Sequence, residues 1–233
     1  MSHLIPCPQL RSDSVIFFPQ SELRKVRYIE GVYALCWRFT DDLKQGWNDP
    51  WTARVSDFKC DNRPVHVDKA RRLLRLILPT LLQELSAQPN RIGIIAALGH
   101  ADTTTQPNAR LVQLSQGLIQ DHGLKDLTCL LFKQPHEALH RQKNEGDREE
   151  QVKDKYQSRP VGEGIEVVLI LDDLLTTGTT LDEIGRAVRS AGCNSPIYGF
   201  VIAKNESKSF ATKHQEEISN EYIPERWAHV WDQ

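Results

Sequence analysis

Apolar positions along this chain fall into two patterns that alternate. Short, mainly apolar runs at 92–98, 127–132, 167–171 and 196–203 are too brief for helices. Their β-branched content suits strands buried on both faces. Between them lie stripes with helical spacing. Leu73, Leu74, Ile77, Leu78, Leu81, Leu82 and Leu85 form one over 67–85, with Pro79 inside it as a candidate kink. Leu111, Val112, Leu114, Leu118 and Ile119 form another over 109–122, closed by Gly123. Leu181, Ile184, Ala187 and Val188 form a third. Strands alternating with helices predict an α/β fold, an open parallel sheet of about five strands flanked by helices.

The rest of the chain is less regular. Residues 15–18 read as a short strand closed by Pro19, and 28–37 are apolar enough to pack as either strand or helix. Residues 38–63 are polar, with a turn expected at Asn48-Asp49-Pro50. Ten of the nineteen residues 140–158 are charged, so this stretch predicts a solvated helix or a mobile loop, not core. The tail from Lys204 is polar until Trp227 and Trp231. The expected organisation is an α/β domain over 91–233, preceded by an N-terminal accessory or hood region over 1–90.

The run at 167–171 leads into the densest chemistry. Asp172 and Asp173 are expected where that strand runs out, and Thr176-Thr177-Gly178-Thr179-Thr180 follows as a hydroxyl-rich turn into the third helix. A helix N-terminus presents free N–H groups and favours an anion, and Thr hydroxyls add uncharged donors, so a phosphate is the natural guest. The two carboxylates would repel that phosphate. They suit neutral hydroxyls or a hard cation with oxygen ligands. A diol beside a phosphate describes a sugar phosphate.

The whole stretch resembles the phosphoribosyl-pyrophosphate (PRPP) signature of type I phosphoribosyltransferases: an apolar run, two acids, two apolar residues, then TTGxT. The resemblance implies that protein's fold, magnesium as cofactor, and PRPP or a ribose-5-phosphate nucleotide as ligand. Asp172 and Asp173 would be the catalytic and metal-binding acids at the ribose hydroxyls, and Thr176 to Thr180 would cradle the 5-phosphate. Leu98, Gly99 and His100 fall where the family binds pyrophosphate through backbone amides. The charged stretch would be a lid that keeps water from an oxocarbenium-like centre, with Lys133, Arg148, Lys153 or Lys155 meeting pyrophosphate charge. The implied activity is transfer of the phosphoribosyl group to a nitrogen acceptor, with release of pyrophosphate. A non-catalytic PRPP or nucleotide sensor on the same fold is the alternative. The order of pieces is loosely similar to the ComF-type branch: Asn108 follows the pyrophosphate loop, and Arg148-Glu149-Glu150-Gln151-Val152 with Tyr156 is similar to a pattern preceding the PRPP strand. That branch's four-cysteine site is absent, and Asp102-Thr103-Thr104-Thr105 stand where it carries arginines.

Composition narrows the partners. The 233 residues are 39% hydrophobic and 26% charged, with a net charge of −2, which gives no pull toward nucleic acid or an anionic membrane. Neither a signal peptide nor an apolar run of membrane-spanning length is evident. The cysteines, Cys7, Cys36, Cys60, Cys129 and Cys193, are odd in number and form no CxxC pair, which fits a reducing cytoplasm. Cys129 and Cys193 are expected in the core. A small-molecule partner is expected, with a homo-oligomer left open.

Three motifs compete. His136-Glu137-Ala138-Leu139-His140 fits the HExxH metalloprotease helix, but the KNEGDREE that follows offers nothing to bury such a helix. The Thr-rich turn lacks the Lys of an NTPase loop. Trp37, Trp47, Trp51, Trp227 and Trp231 are candidates to stack a nucleobase, with core packing the alternative. Arg71, Arg72 and Arg75 make a basic helix face, read as solvated.

Overall fold

The computed structural model describes residues 3–6, 14–23, 26–39, 50–60, 63–99, 101–134, 153–206 and 225–233. Seven strands form one sheet in the order β1-β2-β3-β9-β8-β4-β5. These are β1 (His3–Pro6), β2 (Ser14–Pro19), β3 (Gly31–Phe39), β4 (Ile92–Ala96), β5 (Lys125–Asp126), β8 (Val167–Leu175) and β9 (Ile197–Glu206). From β3 through β9, β8 and β4 to β5 every neighbour is parallel, while β1 and β2 extend the β3 edge antiparallel. The architecture is mixed α/β with a mainly parallel central sheet, consistent with a type I phosphoribosyltransferase fold.

Side chains alternate across each strand and so feed two cores. Val167, Leu169 and Leu171 of β8 join Ile92 and Ile94 on one face. That face is covered by α1 (Pro50–Cys60), α2 (Pro64–Glu84), α3 (Arg110–His122) and α5 (Glu225–Asp232). Val168 and Ile170 point the other way, onto Leu181, Ile184, Ala187 and Val188 of α4 (Thr179–Ser190). The expected apolar face of that helix is thus the one it buries.

Several expectations change in the folded chain. Residues 1–90 do not sit apart: β1, β2 and β3 belong to the same sheet, and β3 lies beside β9 near its middle. The polar stretch before residue 63 contains α1, which begins at Pro50, a residue preset for the first helical turn. Its apolar signal was thin because only three apolar residues, Trp51, Val55 and Phe58, turn inward, beside the buried Thr52. The run at 127–132 is not one strand. Thr128 N–H donates to Asp126 Oδ1 at 2.8 Å, a local turn that competes with extended pairing, and Thr128 Oγ1 accepts the Ala96 N–H. Residues 128–130 therefore form a 3-10 turn, and β6 (Leu131–Lys133) leaves the sheet to pair antiparallel with β7 (Tyr156–Ser158). Cys193 is buried as expected, but Cys129 is exposed on this turn. The second helix runs through Pro79 as one element of 21 residues.

The helix layer is tied by charge. Arg71 on α2 donates two hydrogen bonds to Asp121 on α3, both 2.8 Å, so this part of the basic face is engaged within the protein. The bidentate bond holds the Asp121 carboxyl below its ordinary range, chiefly by hydrogen bonding. A carboxyl depressed in the folded state adds stability above its unfolded pKa and loses it as pH falls through the folded one. With Arg71 about a third exposed, Arg71→Ala is expected to cost about 1 kcal/mol at pH 7. Urea melts of both proteins should show that gap closing below pH 4 or so, under the ordinary carboxylate range.

Candidate functional site

Both loops singled out from the sequence lie at the carboxyl ends of adjacent parallel strands. In open α/β sheets this is where ligands bind. Ala96 of β4 faces Leu171 of β8, and Ala97 N–H donates to Leu171 O at 2.9 Å, so the segment after β4 continues alongside the Asp pair.

β8 does not end at Leu171 but runs to Leu175, with Asp172 opposite Val201 of β9. Successive strand side chains point to opposite faces, so Asp172 and Asp173 diverge. Asp173 approaches Lys59 of α1, at 3.6 Å. Asp172 shares its surroundings with Lys133 of β6 and Tyr156 of β7. Asp173 N–H also donates to Asp172 Oδ1 at 2.8 Å. Burial first, then the charge of Asp173, pushes the Asp172 carboxyl well above the usual carboxylate range, against the opposing pull of that hydrogen bond and the two lysines.

The Thr-rich turn takes the expected form. Thr176, Thr177 and Gly178 make the bend, and α4 starts at Thr179, two residues before the expected apolar onset. Gly178 sits at the N-cap with φ 86°, a left-handed conformation costly to any residue with a Cβ. Among the described residues nothing accepts the N–H groups of Thr179, Thr180 and Leu181, the open donors of the first helical turn. Thr177 and Thr179 hydroxyls bond each other at 2.8 Å. Asp182, one turn further on, accepts the Arg27 and Tyr28 N–H groups at 2.8 and 2.7 Å. This ties the helix start to the segment entering β3.

Two cations of this corner were not picked out from the sequence. Lys204, at the end of β9, donates to Thr176 O at 3.2 Å and pairs with Glu206 at 2.7 Å. Lys59 rides on α1, the helix the sequence hid. Lys133, chosen as a lid cation, is instead buried, with its ammonium 5.3 Å from the Tyr156 ring centre. Burial lowers its pKa to about 8, opposed by the charges of Asp102 and Asp172.

The Leu98 loop differs from a free anion cradle. Leu98 is buried in the core and Gly99 is exposed. Gly99 N–H donates to Asp102 Oδ2 at 3.1 Å, and Asp102 N–H returns a bond to Gly99 O at 3.0 Å. His100, Arg148 and the HExxH segment 136–140 lie outside the described residues. Of the tryptophans, Trp37, Trp51 and Trp231 are buried in the two cores, which leaves none of these three free to stack a base.

Among the described residues no group of three or more His, Cys, Asp or Glu side chains converges as a metal site. Asp172 and Asp173 offer hard carboxylate oxygens, but from opposite faces of β8, so each presents one carboxylate and not a joint chelate. A single carboxylate still fits magnesium, which keeps its waters and takes phosphate oxygens of a substrate to complete its shell.

In a comparison with protein families, residues 132–230 match the phosphoribosyl transferase domain. That span begins at β6 and takes in β8, the Thr turn, α4 and β9. Comparison with curated proteins gives no match. Among the described residues no helix is long and apolar enough to cross a membrane.

Proposed function

We propose that this protein binds a ribose 5-phosphate unit, as PRPP or a nucleotide, at the corner formed by Asp172 to Thr180, and acts there as a phosphoribosyltransferase. The observation that carries the reading is the α4 start, where three backbone N–H groups stand open beside four Thr hydroxyls and a Gly cap. A 5-phosphate there would accept those bonds and gain from the helix dipole and from Lys204. Its ribose would extend toward β8, within reach of the acids. In the transfer, the C1–oxygen bond to pyrophosphate breaks with the electron pair leaving on oxygen, and the acceptor nitrogen bonds to C1 and sheds a proton. Positive charge grows at C1 in between. Carboxylates held beside the ring would stabilise it by fixed charge, and the phosphate anchor would contribute by positioning. Asp172 and Asp173, aimed apart, would each offer a single carboxylate to magnesium, a cation that would screen the pyrophosphate charge. A reducing compartment such as the cytoplasm suits the free thiols.

The Asp102 carboxylate on the Gly99 amide favours a second reading, a nucleotide or PRPP sensor that does not turn over. Incubation with PRPP, magnesium and a panel of bases, followed by assay of released pyrophosphate, separates the two. Release with one base is the expected result. Saturable PRPP binding without release would leave the sensor, and no binding of PRPP or ribose 5-phosphate would end both readings.

A further inference from the structure

We propose that Asp102 sets the ligand preference of this site, disfavouring a diphosphate at C1, so that ribose 5-phosphate and nucleoside 5′-monophosphates bind at least as tightly as PRPP. The inference rests on the reading of the Thr turn as the 5-phosphate anchor.

The geometry of the loop after β4 carries it. Gly99 lies at the carboxyl end of β4, beside the strand that bears Asp172. Its N–H is the outward-facing donor that an anion at C1 would seek, and Asp102 Oδ2 already takes it at 3.1 Å. The fit is close on both sides. A Cβ at residue 99 would lie 2.6 Å from that same oxygen, so only glycine lets the carboxylate settle on the amide. Asp102 N–H closes the ring by donating to Gly99 O. The loop therefore holds its own anion. A ligand pyrophosphate would have to displace that carboxylate and would then lie beside its charge.

Among the described residues, the lysines of this corner do not offset this. Lys133 is fixed by burial against Tyr156, and the charges of both Asp102 and Asp172 bear on it. Lys59 leans on Asp173 and Lys204 on Glu206, so both cations of the corner already face acids of the protein. The Thr turn contains no carboxylate, and its open N–H groups remain ready for one phosphate. One end of the site accepts an anion while the other supplies one.

The test is calorimetric titration of the full chain, with magnesium, against ribose 5-phosphate, PRPP and inorganic pyrophosphate. For the native protein, ribose 5-phosphate and PRPP are expected to bind within about threefold of each other, the added pyrophosphate bringing no gain against a like charge. Asp102→Ala should raise PRPP affinity about tenfold or more and leave ribose 5-phosphate within about twofold. Asp102→Asn, close in shape, removes the charge while its amide oxygen can keep the Gly99 bond, and should shift the ratio the same way by less. It keeps the test open if the alanine variant does not fold. Native PRPP binding more than tenfold tighter than ribose 5-phosphate overturns the proposal, as does a ratio unmoved in both variants. Failure of the native protein to bind ribose 5-phosphate overturns the 5-phosphate anchor itself, and this inference with it.

Discussion

Replacing both acids, Asp172→Asn with Asp173→Asn, is expected to abolish measurable binding of ribose 5-phosphate while the folded protein becomes no less stable. Each hydrogen bond from a ligand hydroxyl to a carboxylate is worth ~1.5–3 kcal/mol, so losing two predicts at least about a hundredfold weaker binding. The stability side follows from the Asp172 environment. Its carboxyl is raised above the ordinary range by burial and by Asp173, so the charged form at neutral pH is disfavoured in the fold. By linkage, such a group destabilises the folded state as pH rises above its unfolded pKa. A neutral amide of similar shape removes that cost, and a gain of about 1 kcal/mol would raise Tm by roughly 2–4 °C for a chain of this size. Titration calorimetry and a thermal melt of the same variant check both halves. Unchanged affinity would mean that the acids serve the fold and not a ligand.

Trp231→Ala is expected to have the largest effect on stability. Trp231 is 2% exposed in the core beneath α1 and α2, and its ring meets Trp51 edge-on with centroids 5.9 Å apart. Next to it Asp232 takes two hydrogen bonds from Arg54 of α1, at 3.1 and 2.6 Å. Truncating a buried tryptophan costs about 3–5 kcal/mol, of the same order as the whole stability of a marginal domain. The consequence should reach the site, because α1 also carries Lys59 to Asp173. Chemical denaturation should show the loss directly. A loss under 1 kcal/mol would mean that α5 is not a structural part of this face.

The parts read correctly from the sequence share one property: their signal is local. The run 167–171 is buried on both sides of a parallel sheet, so each of its residues had to be apolar. The stripes that became α2, α3 and α4 cover sheet faces, and Gly123 ends α3 with φ 73°, as its position after the last apolar residue implied. The Thr turn was legible for the same reason, since a glycine and hydroxyl donors at a strand-to-helix junction are a short-range arrangement.

What escaped reading was decided at a distance. The segment before residue 63 looked polar because α1 is held by only three inward apolar residues, by the buried Thr52, and by partners from the far end of the chain. Residues 127–132 had the composition of a strand, but the Asp126 and Thr128 hydrogen bonds turned the backbone away.

Composition and period determined, without any fold in view, that the chain is an α/β protein with buried parallel strands and a hydroxyl-rich turn into a helix after residue 175. Only tertiary structure decided how the acids are aimed, since continued pairing with β9 carries β8 to Leu175 and turns neighbouring side chains to opposite faces. It likewise decided which charges surround them, with Lys59, Lys133 and Lys204 arriving from three separate elements. Periodicity is set by each residue's own share of burial, whereas the charge around a site depends on residues far apart in the chain that only folding brings together.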